Sequence, residues 1–130
     1  MRVVLACICT LLALGVQACE WPEADAVRSD MDTQLLYRFY PDKPVPGEFF
    51  TATLKVCQRG EFVAPQRISV DATMPAHGHG MNYRPTVAAT GPSEYRVQGL
   101  LLHMQGLWRF EVRFKLYGER HRVVFDFAVQ

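Results

Sequence analysis

The sequence predicts a small all-β domain, an antiparallel β-sandwich of about seven strands. Apolar and polar residues alternate with a period of two in several segments after residue 33, which is typical of strands with one buried face. Turn residues separate these segments at intervals of about 8–12 residues, the spacing of sandwich domains. No segment after residue 18 has a helical period. The 130 residues are 49% apolar and 12% aromatic, which is enough for one compact core.

Four segments alternate cleanly, and each is predicted to place one set of apolar residues in the core. These sets are Phe50, Ala52, Leu54 and Val56; Ile68, Val70, Ala72 and Met74; Trp108, Phe110, Val112, Phe114 and Leu116; and Val123, Phe125, Phe127 and Val129. Three further segments, 33–40, 83–90 and 94–102, are predicted as strands with a less regular alternation. Together they give the expected seven strands.

Residues 1–18 have the features of a signal peptide. Arg2 supplies a positive charge, an apolar run follows it, and Val16-Gln17-Ala18 resembles a small-residue cleavage site. The apolar run of about 14 residues is shorter than the roughly 20 residues that a transmembrane helix needs. We therefore expect export to the periplasm or cell envelope. Residues 19–32 are then an N-terminal arm or tether, with a short edge strand as the alternative, and the domain occupies 33–130.

Cys19, the first residue after the predicted cleavage site, has two alternative fates. Ala18-Cys19 resembles the end of a lipobox, although Gln17 is unusual there, so Cys19 is a candidate for a lipid anchor. In an oxidising compartment Cys19 is equally a candidate for a disulfide with Cys57. A lipidated cysteine cannot form a disulfide, so the two alternatives exclude each other, and the sequence leaves both open.

The charges are balanced and interspersed. Loss of Arg2 with the signal peptide takes the 14 basic residues to 13, against 13 acidic ones. The absence of a basic stripe argues against binding to nucleic acid and against electrostatic binding to a membrane surface.

Three metal-binding side chains lie within five residues, at His77, His79 and Met81. Glycines at 78 and 80 let the backbone bend, so that both imidazoles can approach one point. This spacing predicts one arm of a metal site.

A second pair of such residues, His103-Met104, follows another predicted strand. If successive strands run in opposite directions, loops 75–82 and 103–106 lie at the same end of the sandwich. His121 then falls at the opposite end and is excluded from the site.

Imidazole and thioether together favour copper, and Cu(I) in particular. Zinc sites more often include cysteine or carboxylate, and calcium and magnesium need oxygen ligands, whereas neither cluster contains an acidic residue. The candidate ligands are His77, His79, Met81, His103 and Met104. Met74 is a weaker candidate because it continues the inward face of its strand. The alternative is a metal-free loop that shapes a surface for a partner.

Enzymatic activity is not expected. No serine, cysteine or acid is placed with the histidines as a nucleophile and base would require. A blue-copper electron carrier is not expected either. Its metal centre needs a cysteine thiolate between histidines, and neither Cys19 nor Cys57 lies near the two clusters in sequence.

The segment from Asp71 to Met81, with Tyr95, Gly99-Leu100, His103-Met104, Gly106 and Trp108, resembles the core motif of YtkA-like and FixH-like domains. The resemblance covers roughly residues 33–129. It implies a bacterial cell-envelope domain with an immunoglobulin-like sandwich, often found in copper handling or oxidase assembly.

We therefore expect a copper-binding protein of the cell envelope, acting as a chaperone or a sequestering carrier for an envelope acceptor. The alternative is a metal-free interaction module that docks on a membrane complex during its assembly.

Overall fold

The computed structural model describes residues 19–130, so the predicted signal peptide at 1–18 lies outside the described residues. Residues 19–130 form ten strands and no helix, and therefore no helix that could cross a membrane. The strands are β1 (Asp25–Arg28), β2 (Thr33–Tyr40), β3 (Phe49–Gln58), β4 (Glu61–Val63), β5 (Gln66–Met74), β6 (His79–Gly80), β7 (Thr86–Gly91), β8 (Glu94–Leu101), β9 (Gly106–Leu116) and β10 (Glu119–Val129).

The strands form two antiparallel sheets. The first has the order β1-β2-β3-β8-β7, with β4 also paired to β3, and the second has the order β10-β9-β5-β6. The predicted all-β fold, an antiparallel β-sandwich, is confirmed. Seven strands have six residues or more, and the other three, β1, β4 and β6, have two to four.

The core lies between the two sheets and follows the predicted alternation most closely on β9. Its five inward residues, from Trp108 to Leu116, are all at most 4% exposed, and the polar residues between them face outward. Removing a large apolar side chain of this kind from water stabilises the fold by about 1.5–3 kcal/mol.

Two strands depart from the predicted alternation at particular residues. On β10, Phe125 and Phe127 are only partly buried because this strand forms the edge of its sheet. They pack against β2 instead, with Phe125 stacked on Tyr37 at 4.3 Å between ring centroids. On β5, Ile68 is also only partly buried, because the register with β9 shifts between Gln66 and Ser69.

The arm predicted over 19–32 lies against the first sheet. Part of the arm forms the edge strand that was the alternative prediction, because β1 pairs with β2. Cys19 and Cys57 form a disulfide. The indole of Trp21 contacts two cations, Arg38 at 5.1 Å and Lys55 at 5.0 Å from its ring centroid. Disulfide, cation–π contacts and strand pairing together fix the arm along its length.

The strand directions bring three chain segments to one end of the sandwich. β5 ends there at Met74, β8 ends there at Leu101 and β9 begins there at Gly106. The strand predicted over 83–90 begins only at Thr86, after Pro85, because proline has no N–H to donate to a sheet. The loops that carry the candidate ligands therefore meet at this end.

Candidate metal centre

Residues 75–82 fold back on the end of β5. The N–H groups of His77 and Gly78 both donate to the carbonyl of Met74, at 3.1 and 3.0 Å. β6 then pairs with β5, and Met81 N–H donates to the carbonyl of Ala72 at 3.1 Å. These hydrogen bonds fix the backbone that carries both histidines.

The two glycines of this turn serve different needs. Gly78 has φ of +67°, in the left-handed region that glycine adopts without strain. Gly80 lies so close to β5 that a Cβ there would stand 3.3 Å from the carbonyl oxygen of Ala72. One glycine therefore permits the turn, and the other permits the close approach of β6 to β5.

Three imidazoles and an indole form a row at this end of the sandwich. The ring centroids of His77 and His79 are 5.6 Å apart, those of His79 and His103 are 5.2 Å apart, and those of His103 and Trp108 are 5.1 Å apart. The structure thus brings the two predicted ligand loops into contact. We call His77, His79 and His103 the imidazole row.

Exposure falls along the imidazole row. His77 and His79 are exposed, His103 is half-buried, and Trp108 at the end is fully buried. Nδ1 of His103 is buried and has no hydrogen-bond partner among residues 19–130. A buried polar atom without a partner costs about 1–3 kcal/mol, so this nitrogen needs an explanation.

Trp108 also holds the second ligand loop. Its Nε1–H donates to the carbonyl of Met104 at 2.9 Å. His103 and Met104 lie beyond the end of β8 at Leu101, so the rule that neighbouring residues on a strand face opposite sides does not apply to them. Both side chains are half-buried.

The three candidate methionines fall into two groups. Met74 is 2% exposed and belongs to the core, where its Cε lies beneath Gly106 and occupies the place that a Cβ there would take. Met81 and Met104 are half-buried and pack against the edge of the core. Of the three, Met81 and Met104 are therefore the ones that a metal ion at the surface can reach.

The spacing of the imidazole row suits a shared ion, although the rings do not yet converge on one. Since an imidazole nitrogen binds a metal at about 2 Å, two imidazoles on one ion have centroids roughly 4.5–6.5 Å apart. The rings of His77 and His79 lie nearly parallel, at 9°. Among residues 19–130, no three His, Cys, Asp or Glu side chains are already arranged to hold a metal ion. Binding therefore requires rotation of the exposed imidazoles.

Two exposed aromatic rings lie near this end of the sandwich, and one of them, Phe49, was not singled out from the sequence. Phe49, at the start of β3, is 60% exposed, and Tyr83, two residues beyond Met81, is 50% exposed. Their rings pack against each other at 5.1 Å between centroids. The sequence does contain a sign of this exposed ring. Phe49 directly precedes Phe50, the first of the alternating core residues of β3, so it falls on the outward face of that strand.

His121 lies apart from the row, as the strand directions predict. It pairs with Phe114 on β9, six residues along that strand from Trp108, or about 20 Å. Its Nδ1 is 3.4 Å from Ser29 Oγ and 3.2 Å from Asp30 Oδ2. In a catalytic triad the serine and the acid contact different imidazole nitrogens, so these three residues are not arranged as one.

Asp30 orders the turn between β1 and β2. Its Oδ1 accepts hydrogen bonds from the N–H groups of Asp32 at 2.9 Å and Thr33 at 2.7 Å. Desolvation acts to raise the pKa of Asp30, but these hydrogen bonds and the nearby His121 outweigh it and hold the pKa below its ordinary value.

An open groove of about 870 Å³ lies beside the N-terminal arm and shares no residue with the imidazole row. It is lined by Arg38, Tyr40, Thr53 and Arg96, among others. Asp25 also lines the groove, and burial together with this neighbouring carboxylate raises the pKa of Tyr37 to about 12. The groove carries charges of both signs and indicates no particular ligand.

Comparison of the chain with protein-family models, with curated proteins and with solved structures finds no match.

Proposed function

We propose that the chain is a copper-binding protein of the cell envelope, a chaperone or sequestering carrier whose site is the imidazole row with Met81 and Met104. The observation that carries the proposal is the contact between two separate loops through His79 and His103, whose buried Nδ1 lacks a partner in the described part of the chain, residues 19–130. A bound metal ion supplies the partner that this nitrogen lacks.

The donor set favours copper over other metals. The site offers imidazoles and two thioethers, which are the ligands that Cu(I) accepts. Neither ligand segment, 75–82 or 103–106, contains a carboxylate. Calcium and magnesium need several oxygen ligands and therefore do not suit this site.

The disulfide supports the proposed location. Disulfides persist in oxidising compartments such as the periplasm and are rare in the cytoplasm. Cys57 is 2% exposed beneath the N-terminal arm, and its sulfur is bonded to that of Cys19. This pairing supports the disulfide alternative for Cys19 over the lipid anchor.

The resemblance to YtkA-like and FixH-like domains supports the same proposal, because such domains occur in the bacterial envelope. We propose no catalytic step. An envelope acceptor protein is the proposed partner, since the exposed His77 and His79 are within its reach.

The decisive experiment is an anaerobic Cu(I) titration of the oxidised protein against a competing chelator, beside a His77→Ala/His79→Ala variant. We expect tight binding of one ion to the parent protein and its loss in the variant. Equal binding by the two proteins contradicts a histidine-dependent site, and no binding by either rules out the copper proposal.

The alternative function, a metal-free module that docks on a membrane complex, is favoured by the exposed pair of Phe49 and Tyr83. Large exposed aromatic side chains are frequent in protein interfaces. A double-mutant cycle with His79→Ala and His103→Ala separates the two functions. If the chain binds copper, the two substitutions should lower the affinity for Cu(I) in a strongly non-additive way. If it docks on a membrane complex, they should lower the affinity for that complex nearly additively, with or without metal.

A further inference from the structure

We infer that the three histidines act at different steps, with His103, through Nδ1, and its neighbour His79 holding the copper ion while the exposed His77 loads and releases it. This inference rests on the proposed function and assigns a role to each imidazole of the row. It predicts that loss of His103 changes the affinity for copper, whereas loss of His77 changes the rate of exchange.

The role of His103 follows from its surroundings. A neutral imidazole carries a proton on one nitrogen and a lone pair on the other. Nδ1 of His103 has no partner within residues 19–130, so it is unsatisfied in either tautomer. A metal ion at Nδ1 removes that penalty and fixes the proton on Nε2. The edge-on contact with Trp108 and the hydrogen bond from Trp108 to Met104 hold the ring and its loop.

His121 provides an internal contrast. Its Nε2 is also buried without a partner among residues 19–130, but its Nδ1 lies within 3.2 Å of Asp30. Its ring stacks on Phe114 at 5.1 Å, whereas the ring of His103 contacts a second imidazole, that of His79, as well as Trp108. An unsatisfied nitrogen therefore indicates a ligand at His103, whose ring lies beside the imidazole of His79, and not at His121.

The role of His77 follows from its exposure. His77 and His79 lie at the solvent end of the row, on a backbone fixed by the turn after Met74. Their side chains can rotate toward an incoming ion or a partner's ligands without disturbing the core. A ligand that acts in exchange speeds loading and release equally, so its removal slows both steps and leaves the equilibrium constant nearly unchanged.

The test uses the oxidised protein, expressed as the full chain and purified from the envelope fraction. Anaerobic competition titration gives the dissociation constant for Cu(I), and stopped-flow transfer to the chelator gives the release rate. The variants are His77→Ala and His103→Ala, with the exposed neighbours Asn82→Ala and Gln105→Ala as matched controls. Circular dichroism checks that each variant retains its strands.

Because loss of an outer-shell partner alone costs about 10–100-fold in metal affinity, we expect His103→Ala to weaken binding by about 100-fold or more. We expect His77→Ala to change the dissociation constant by less than about threefold while release slows by about tenfold, because an interaction made only in the transition state of exchange changes both rates and leaves the equilibrium unchanged. Equal losses of affinity in both variants overturn the inference and leave the proposed function standing. Absence of Cu(I) binding by the parent protein overturns both.

A second measurement does not depend on any variant. In the protein labelled with ¹⁵N-histidine, the imidazole spectrum distinguishes Nδ1 from Nε2, and Cu(I) is diamagnetic. We expect the Nδ1 resonance of His103 to shift on addition of Cu(I), with the proton retained on Nε2. A shift at Nε2 with the proton on Nδ1 overturns the assignment.

Discussion

The imidazole of His103 packs edge-on against the indole of Trp108, with 5.1 Å between ring centroids and an angle of 86° between the planes. Trp108 is fully buried, and its Nε1–H binds the carbonyl of the residue after His103. The last imidazole of the row is therefore fixed by the core itself.

This contact makes Trp108 a reporter for the site. The sequence contains two tryptophans, so Trp21→Phe leaves Trp108 as the only one. We expect the emission of that variant to fall as Cu(I) is added and to level off at one equivalent. The control is Trp108→Phe, whose remaining Trp21 lies against Arg38 and Lys55 on the first sheet and should be insensitive to copper. Unchanged emission from Trp108 while copper binds would place the ion away from His103.

Gly106 couples the ligand loop to the core. Its φ is +128°, and an added Cβ would collide with Cε of Met74. We expect Gly106→Ala to lower the free energy of unfolding by about 1–3 kcal/mol, because the backbone strain remains even after Met74 moves aside. Urea denaturation measures this loss. In a Met74→Ala background the collision is absent, so a cost that disappears there would show that the collision, and not φ, is responsible.

The same substitution tests how the loop supports the site. Gly106 directly follows the loop of His103 and Met104, so a displaced Gly106 should also weaken Cu(I) binding. Gly118→Ala is the matched control, because Gly118 also has a positive φ, of +88°, with no atom near an added Cβ. We expect it to lower stability and leave copper binding unchanged.

Asp30 gives a prediction about pH. Hydrogen bonds lower its pKa below the ordinary 3.8, so the folded state favours its charged form more than the unfolded state does. Its contribution to stability is therefore present above that value and is lost as the pH falls through the lower, folded pKa. We expect Asp30→Ala to destabilise the protein by about 1–2 kcal/mol at neutral pH, since two hydrogen bonds to a charged group are lost.

Urea denaturation at neutral pH and near pH 3 measures this effect. The difference between Asp30→Ala and the parent protein should shrink as the pH falls below 3.8 towards the lower pKa of the folded state. The exposed Asp42 of the loop after β2 supplies the control variant, Asp42→Ala. A difference that is constant between the two pH values would show that the charge of Asp30 plays no part.

The strand pattern could be predicted from the sequence wherever one face of a strand is fully covered. This holds for β9, which lies between β10 and β5 in its sheet and whose inward residues are all buried. It fails for Phe125 and Phe127, because period-two alternation does not reveal that β10 lies at an edge. The register shift near Arg67, with its positive φ, was equally hidden, since no glycine marks it.

The meeting of the two ligand loops followed from strand directions alone, and the structure brings His79 and His103 together. Finer features of the site depend on packing that sequence patterns do not encode. The burial of His103 Nδ1 without a hydrogen-bond partner among residues 19–130 is one such feature. The contact between Asp30 and His121 joins residues far apart in the chain, with no motif to announce it.

The disulfide and the proposed copper site should be independent of each other. Cys57 is eight residues along β3 from Phe49, so the two ends of that strand are about 26 Å apart. The bond joins residues separated by 38 positions, and its loss should lower the free energy of unfolding by about 2–4 kcal/mol. The double variant Cys19→Ala/Cys57→Ala avoids a free thiol that could itself bind Cu(I). We expect its thermal unfolding midpoint to fall while its Cu(I) affinity, measured at a temperature where it remains folded, equals that of the parent. A matching loss of affinity would show that the arm or its disulfide contributes to the metal centre after all.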